Sequence, residues 1–387
     1  MSDLNQLPPD LIEAILSRLP VKSLDRFKSV SKAWYSLISS FIKTHILNLI
    51  INNPNPNPTH LILVPYKYSG NIIVPASDYS EYIYSLDIEQ LNTQTLPATS
   101  TAKCLNFRKE WVEIRGSCNG NVLSNDIHDN LYLVNPTTQE SLKVQDSGGE
   151  SIGKTTYGFG YDSSKDDYKV IKISYKAISN SDLNSTLVHV YSLRNNSWNR
   201  LPNFPYRLLE HYNLRPGVGV LLNNNLHWLV GSRHSKLVIA AFSFADEEFH
   251  DIELPDPVNN DITEYSQLYV FGGKLYVLVY YWLNHDSFSY VLWVMEEYGV
   301  HKSWKKLCKI NTDINLNGDE FFAQVSNQDI MLGHCYDHEI LVYNMEEKRF
   351  TSVIVEGFPE IDAKVYGTYV ESLESLEHFY LDNTSFC

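Results

Sequence analysis

Tyr191-Ser192-Leu193-Arg194-Asn195-Asn196-Ser197-Trp198 reads as the end of one strand, a polar turn, and a second strand opened by a large aromatic. The same grammar returns three times: Phe242-Ser243-Phe244 before Glu248-Phe249, Trp293-Val294-Met295 before Ser303-Trp304, and Val342-Tyr343-Asn344 before Arg349-Phe350. The aromatics Trp198, Phe249, Trp304 and Phe350 stand 51, 55 and 46 positions apart. A repeat of about 50 residues with four strands per unit matches the blades of a β-propeller better than the strands of a sandwich. Earlier units around Leu61 to Leu96 and Trp111 to Val144 bring the count to about six, and a last strand near Val365 to Val370 is placed to close the ring. The four aromatics themselves are expected to fill blade cores, as bulky rings commonly do in β proteins.

Outward from this repeat the texture holds from about residue 60 onward. Short runs of Val, Ile, Tyr, Phe and Leu are broken by Gly, Asn, Asp and Pro, the signature of many short antiparallel strands, and nearly all of the 26 tyrosines lie here. Upstream, Asn52-Asn53-Pro54-Asn55-Pro56-Asn57-Pro58 forbids helix and sheet alike and favours an extended spacer. Before it, Leu11, Ile15 and Leu19 recur at steps of four, followed by Leu24, Phe27, Trp34, Leu37 and Ile38, so the first 50 residues read as short helices. Pro8 and Pro9 suit a first helical turn, and Ser31 can cap the helix that carries Trp34. The expected organisation is α + β in two domains: a small helical domain over 4–50, an Asn/Pro linker over 51–59, and a mostly-β, propeller-like domain of kelch type and about six blades over 60–380.

Composition narrows the function. The chain has 43% hydrophobic and 20% charged residues, as folded globular proteins do, and its 31 Lys+Arg against 46 Asp+Glu leave a net charge of -15 that repels a phosphate backbone. Nucleic acid is therefore not an expected partner. No stretch of 18 apolar residues occurs and no signal-peptide pattern opens the chain, so membrane insertion is not expected and a cytoplasmic or nuclear location is. Five widely spaced cysteines without a Cys-x-x-Cys pair fit reduced thiols.

Candidate chemistry is sparse. Gly148-Gly149-Glu150-Ser151-Ile152-Gly153-Lys154-Thr155 matches the spacing of a phosphate-binding loop, but Tyr157-Gly158-Phe159-Gly160 after it predicts a strand where that loop requires a helix. His334, Cys335 and His338 fall in an expected hairpin turn, and Asp162, Asp166 and Asp167 lack the closing Glu of a calcium loop. No nucleophile elbow is present. The expectation is a chain without catalytic residues, cofactor or metal, in which loops such as Arg207 to Arg215 and Tyr281 to Phe288 carry recognition.

The run Leu7-Pro8-Pro9-Asp10-Leu11-Ile12-Glu13-Ala14-Ile15-Leu16-Ser17-Arg18-Leu19-Pro20-Val21-Lys22-Ser23-Leu24, with Phe27, Val30-Ser31-Lys32-Ala33-Trp34 and Leu37-Ile38, resembles an F-box over about 40 residues. The remainder resembles the F-box-associated interaction domain of plant F-box proteins, including those of the pollen S-locus type and those that restrain immune receptors. That second resemblance is carried by Gly116-Ser117-Cys118-Asn119-Gly120, Asn135-Pro136-Thr137-Thr138, Tyr157-Gly158-Phe159-Gly160-Tyr161-Asp162, Asp166-Asp167-Tyr168-Lys169-Val170, Leu226-His227-Trp228 and Trp293 to Val300. Where the family reads Gly-Leu-Leu after Asn119-Gly120, this chain has Asn121-Val122-Leu123. The resemblance implies the substrate-recognition subunit of a Skp-cullin-F-box ubiquitin ligase, bridging an adaptor to a target protein whose identity the sequence leaves open. It further implies that Leu7, Pro8, Leu11, Ile15, Leu19, Pro20 and Leu24 line the contact with a Skp-type adaptor, and through it cullin, while Trp34, counted with that adaptor site, and Leu37 anchor the bundle and its neighbouring helix. The first 50 residues carry six basic and four acidic side chains, compatible with an acidic partner. The alternative reading is a stand-alone propeller that binds protein or glycan without entering a ligase.

Overall fold

The computed structural model describes residues 8–16, 19, 21–41, 57–69, 72–75, 83–91, 99–105, 111–126, 128–145, 154–175, 186–201, 204–208, 218–231, 237–256, 258, 265–284, 287–313, 322–326, 329–336, 339–357, 363–374 and 376. The N-terminal periodicity resolves into helix α1 (Pro9–Leu16), helix α2 (Val21–Lys28) and a third helix over 32–41. Pro9 opens α1, where its missing N–H costs nothing. The Ser31 hydroxyl accepts the Trp34 backbone N–H at 3.2 Å and caps the third helix, as its position in the sequence predicts. Leu16, Leu24, Ile38 and Phe41 face inward and make the small core of this bundle, with Trp34 packed on Phe27 at 5.8 Å between ring centroids. Of the Asn/Pro linker, residues 51–56 lie outside the described residues. Asn57 is described, and its side-chain oxygen accepts the Gly272 N–H at 2.7 Å, tying the linker's end to the β domain.

Among the described residues, 27 strands then build six blades. The first blade holds β1 (His60–Ser69), β3 (Ile83–Asp87) and β5 (Lys103–Leu105), with β2 (Ile72–Pro75) paired to β1 and β4 (Thr99–Thr101) turned to its neighbour. The second runs β6 (Trp111–Cys118), β7 (Asn121–Asp126), β8 (Leu131–Asn135) and β9 (Glu140–Lys143), and the third β10 (Lys154–Asp162), β11 (Asp167–Tyr175), β12 (Thr186–Ser192) and β13 (Ser197–Leu201). In the fourth, β14 (Arg207–Leu208) and β15 (Val220–Leu222) share the inner edge of β16 (Asn225–Gly231), which pairs with β17 (Leu237–Ser243) and β18 (Phe249–Glu253). The fifth is β19 (Tyr265–Phe271), β20 (Lys274–Asn284), β21 (Ser287–Met295) and β22 (Trp304–Thr312); the sixth is β23 (Phe322–Gln324), β24 (Asp329–Tyr336), β25 (Glu339–Asn344) and β26 (Arg349–Glu356). Finally β27 (Ala363–Tyr369) returns to pair with β1 and completes the first blade from the other end of the chain. Its contact with β24 through Ala363 and Cys335, together with the parallel pairing of β4 and β26, stitches the sixth blade to the first. Closure of this kind leaves no long exposed inner edge for intermolecular pairing.

The repeated aromatics occupy one structural position. Trp198, Phe249, Trp304 and Phe350 each sit near the start of an outer strand, opposite Tyr191, Phe242, Met295 and Tyr343 in register. Three of the four pairs are ring contacts at 5.0 to 5.1 Å. They are half-buried rather than fully interior, and two bind the preceding blade: Trp198 Nε1 donates to the Gln145 carbonyl at 2.7 Å and Trp304 Nε1 to the Glu253 carbonyl at 2.8 Å. The expected core filler is thus also an inter-blade latch.

Turn chemistry explains the regularity. Asn119-Gly120, Asn223-Asn224 and Gly272-Gly273 all have positive φ at both positions, the two-residue hairpin whose twist matches that of the strands. The four-residue turns between third and fourth strands end in Gln139, Asn196 and Lys348, each at positive φ. Asn135 and Asn344 cap their own turns through the side-chain oxygen, accepting Thr137 N–H at 2.9 Å and Glu347 N–H at 2.7 Å.

Blade-to-blade contact is dense where the family motifs fall. Gly158 and Gly219 bridge the inner strands of the third and fourth blades directly over the Trp228 indole. Lys169, nearly buried, joins Asp162 at 2.9 Å to Glu247 of the fourth blade at 2.8 Å. Burial opposes its charge, but the two carboxylates hold its pKa above the ordinary lysine value. His227, fully buried, donates Nδ1–H to the Val220 carbonyl and accepts the Tyr298 hydroxyl proton at Nε2 (2.7 Å); burial lowers its pKa to about 4, so it stays neutral. A methyl group at Gly158 would lie 2.5 Å from the Trp228 ring. Gly158→Ala is therefore expected to lower unfolding free energy by about 1–3 kcal/mol, read from chemical denaturation followed by tryptophan fluorescence.

Candidate functional site

The apolar residues of the helical module separate onto two sides. Leu11 and Ile15, one turn apart on α1, are each 51% exposed, and Pro8 just before the helix is exposed as well. Leu19 and Trp34 are half-buried against the core, and Leu24 is 5% exposed inside it. Leu7 and Pro20 lie outside the described residues. Of the sequence-derived set, then, the fold brings Pro8, Leu11 and Ile15 to the outside, while Leu24 contributes packing. Phe27, Val30 and Tyr35 are exposed too. Among the described residues these exposed apolar side chains are more than so small a bundle needs for its own core.

The bundle's core is completed from the far end of the chain. Leu373, 5% exposed, packs with Leu16, Leu24, Ile38 and Phe41. It belongs to a strap, described over 370–374 and at 376, that leaves β27 and crosses the second and third blades. Asn135, fully buried, donates to the Ser372 carbonyl at 3.1 Å and the Glu374 carbonyl at 2.9 Å; Ser372 N–H donates to Thr137 Oγ1 at 3.2 Å and Leu376 N–H to Glu140 Oε2 at 2.8 Å. Gly120 makes room, since a side chain there would put Cβ 2.2 Å from Ser372 Cβ. Leu376 is buried in the core between those blades. Elsewhere the junction is open: a cavity of about 300 Å³ separates α2, at Asp25 and Arg26, from His60, Lys103, Thr137 and Glu371 of the propeller. The direct apolar link among the described residues is therefore concentrated at Leu373.

Glu374 is the strap's ionisable anchor. Its Oε2 accepts from Tyr168 Oη at 2.5 Å and Asn121 Nδ2 at 3.0 Å. Burial lifts its pKa to about 7, against the lowering effect of those two donors. The folded chain thus holds this proton more tightly than the unfolded chain, whose carboxyl titrates near 4.5, so the stabilisation is full below that pH and lost as pH rises through 7.

The two faces of the propeller differ. The strap, the helical module and Asn57 gather on the face that carries the tight hairpins Asn119-Gly120 and Gly272-Gly273. On the other face the connections are longer, with ten residues between Lys143 and Lys154 and ten between Tyr175 and Thr186. The described parts of both sequence-nominated recognition loops, Arg207–Leu208 and Tyr281 to Asn284, lie toward that far side and are strand. Arg207–Leu208 is strand β14 and 209–217 lie outside the described residues; Tyr281 to Phe288 is mostly strand, with Trp282 paired to Phe288 and only 285–286 left as a connection, also outside the described residues. Of the proposed phosphate loop, 148–153 lie outside the described residues and Lys154-Thr155 open strand β10. Cys335 is in strand β24 and not in a turn, while 337–338 lie outside the described residues. Asp162 caps Ser164 and pairs with Lys169, and Asp167 accepts from Ser192 Oγ and the Arg194 N–H. Among the described residues no group of three His, Cys, Asp or Glu is placed to hold a metal, and no helix is long and apolar enough to cross a membrane.

The chain is thus a three-helix module strapped to a six-bladed propeller, and comparison with known proteins identifies its family. The F-box associated beta propeller domain matches residues 73–376 and the F-box domain matches residues 4–46, so the chain belongs to the family of F-box proteins with an F-box-associated propeller. It is 27% identical to the F-box protein CPR1 of Arabidopsis thaliana over 91% of this chain and 85% of that protein. It is 31% identical to an F-box/kelch-repeat protein of Arabidopsis thaliana over 79% of this chain and 80% of that one. Among solved structures it is similar to the six-bladed Aleuria aurantia lectin, with TM-score 0.41 and 12% identity over 79% of this chain and 99% of that one.

The strap makes a testable statement. Between pH 5 and 8 the thermal midpoint of the wild type is expected to fall relative to that of Glu374→Gln, whose neutral amide carries no such titration; parallel pH profiles of the two would contradict the assignment.

Proposed function

We propose that this protein is the substrate receptor of a Skp-cullin-F-box ubiquitin ligase, non-catalytic in itself. The observation that carries the reading is the exposed Leu11 and Ile15 face of α1, presented by a bundle whose opposite side is rooted in the propeller through Leu373. An apolar face held this way can dock a Skp-type adaptor, and through it cullin, without disturbing the bundle's own core. The propeller, a kelch-like scaffold in blade length, grips the target protein. Tethering then raises the effective concentration of target lysines near the charged conjugating enzyme, so positioning is the whole contribution of this chain. A cytoplasmic or nuclear location follows from the reduced-thiol cysteine pattern and from the partners such a receptor needs.

The test is co-purification with recombinant Skp-type adaptor and cullin. Wild type is expected to capture both. Leu11→Asp with Ile15→Asp, at exposed positions, is expected to reduce capture at least a hundredfold while the thermal midpoint moves by less than about 2 °C. Failure of the folded wild type to capture the adaptor would remove the ligase reading.

A further inference from the structure

The cavity between α2 and the propeller is built largely from one sheet face of the first blade. Tyr369, His60 and Asp87 stand opposite one another in register across β27, β1 and β3, and Ser85 with Lys103 forms the next rung on the same face. All five line the cavity of about 300 Å³, with Asp25 and Arg26 of α2 on the opposite wall and Thr137 reaching it from the second blade. Part of the lining is deeply buried: Leu105 is 2% exposed, and the Ser85 and Tyr369 hydroxyls share a hydrogen bond at 2.8 Å. His60 Nε2 lies 3.7 Å from a Glu371 carboxylate oxygen of the strap, and the His60 and Tyr369 rings pack at 5.2 Å. Burial, and then the Glu371 and Asp87 charges, push the Tyr369 hydroxyl up to about 12 against the lowering effect of Ser85, so both carboxylates act on one group.

The lining carries charge of both signs. Asp87 and Lys103 are diagonal neighbours on the sheet, a separation of about 7–8 Å. Among the described residues, neither they nor Asp25 and Arg26 form an ion pair, with each other or with a third group. Neutral hydrogen-bonding capacity lies beside them. Gln90 Oε1 accepts the Thr101 N–H at 3.0 Å and the Ser100 hydroxyl at 3.2 Å, which leaves its amide N–H groups to donate; Thr137 Oγ1 accepts the Ser372 N–H and keeps its own proton to give. A purely anionic or purely cationic molecule would satisfy one set of these charges and meet repulsion from the other. A molecule with an ammonium and a carboxylate a few bonds apart answers both sets with charge-assisted hydrogen bonds. The volume limits its size: at about 30 Å³ per water-sized group, 300 Å³ admits about ten non-hydrogen atoms, the size of a free α-amino acid.

We propose that this junction cavity binds a free α-amino acid, its carboxylate held by Arg26 and Lys103 and its ammonium by Asp87 and Glu371. Bound there, it bridges α2 to the first blade and the strap, at a junction whose direct apolar link is concentrated at Leu373. The inference goes beyond the receptor reading and does not depend on it. The experiment screens the full chain by thermal shift against the proteinogenic amino acids, acetate, methylamine and inorganic phosphate, each at about 10 mM, with isothermal titration of the best ligand. At least one amino acid is expected to raise the thermal midpoint and to bind one to one, while its N-acetyl and carboxamide derivatives, each lacking one charge, bind at least tenfold more weakly. Arg26→Gln with Lys103→Gln, at exposed positions, should lower the affinity at least tenfold with the ligand-free midpoint unchanged. Asp87→Asn, which keeps an acceptor for the Glu89 N–H, should do the same. Absence of binding by every amino acid at that concentration, affinity undiminished in both variants, or acetate, methylamine or phosphate binding as tightly as the amino acid overturns the proposal.

Discussion

The pairing of β27 with β1 is the constraint from which the rest follows. A ring closed by its own last strand must bring the C-terminal residues beside the N-terminal ones, and both then emerge on one face. Once there, the strap has the hairpin tips of the second blade within reach, and Ser372, Glu374 and Leu376 bind them. Asn135 serves two ends at once: its side-chain oxygen caps the turn that follows it, and its amide holds two strap carbonyls. Buried polar groups are costly unless paired, so a fully satisfied Asn at this point fixes the strap's path more sharply than apolar packing alone would.

The consequence is a division of labour by face. The helical module is rooted on the tight-turn side by Leu373, with Leu11 and Ile15 of α1 exposed, and among the described residues a cavity of about 300 Å³ lies beside α2. The opposite side carries the longer connections. Between the two lies a propeller whose blades are bound to each other by Trp198, Trp304, Lys169 and His227, each reaching a partner in an adjacent blade or at its boundary. A receptor that works by positioning requires such stiffness, because slack between its ends would dilute the effective concentration it creates.

Much of this was legible in the sequence because its signals are local. The aromatic that opens each outer strand faces a residue only seven to nine positions earlier, as Trp198 faces Tyr191, so the hairpin shows as a spacing. Asn119-Gly120 and Ser31 likewise act on their immediate neighbours. The strap was not legible: Asn135 and Ser372 are 237 residues apart, and no periodicity joins them. Nor could spacing separate Leu24 from Leu11, since both are leucines at helical intervals and only the packing of the third helix and Leu373 decides which is covered. The stretch from Tyr281 to Phe288 read as a loop because Asn284 to Ser287 is polar, yet cross-strand pairing carries both strands through it.

The central claim is that the C-terminal strap completes the helical module and fixes it to the propeller. Hydrogen–deuterium exchange of the full chain beside a chain ending at Tyr369 tests it most directly, since that truncation keeps β27 and removes Leu373 and Glu374. The account predicts much faster exchange in α1, α2 and the third helix of the truncated chain, with the fourth and fifth blades unchanged. Unaltered protection of the three helices would contradict it.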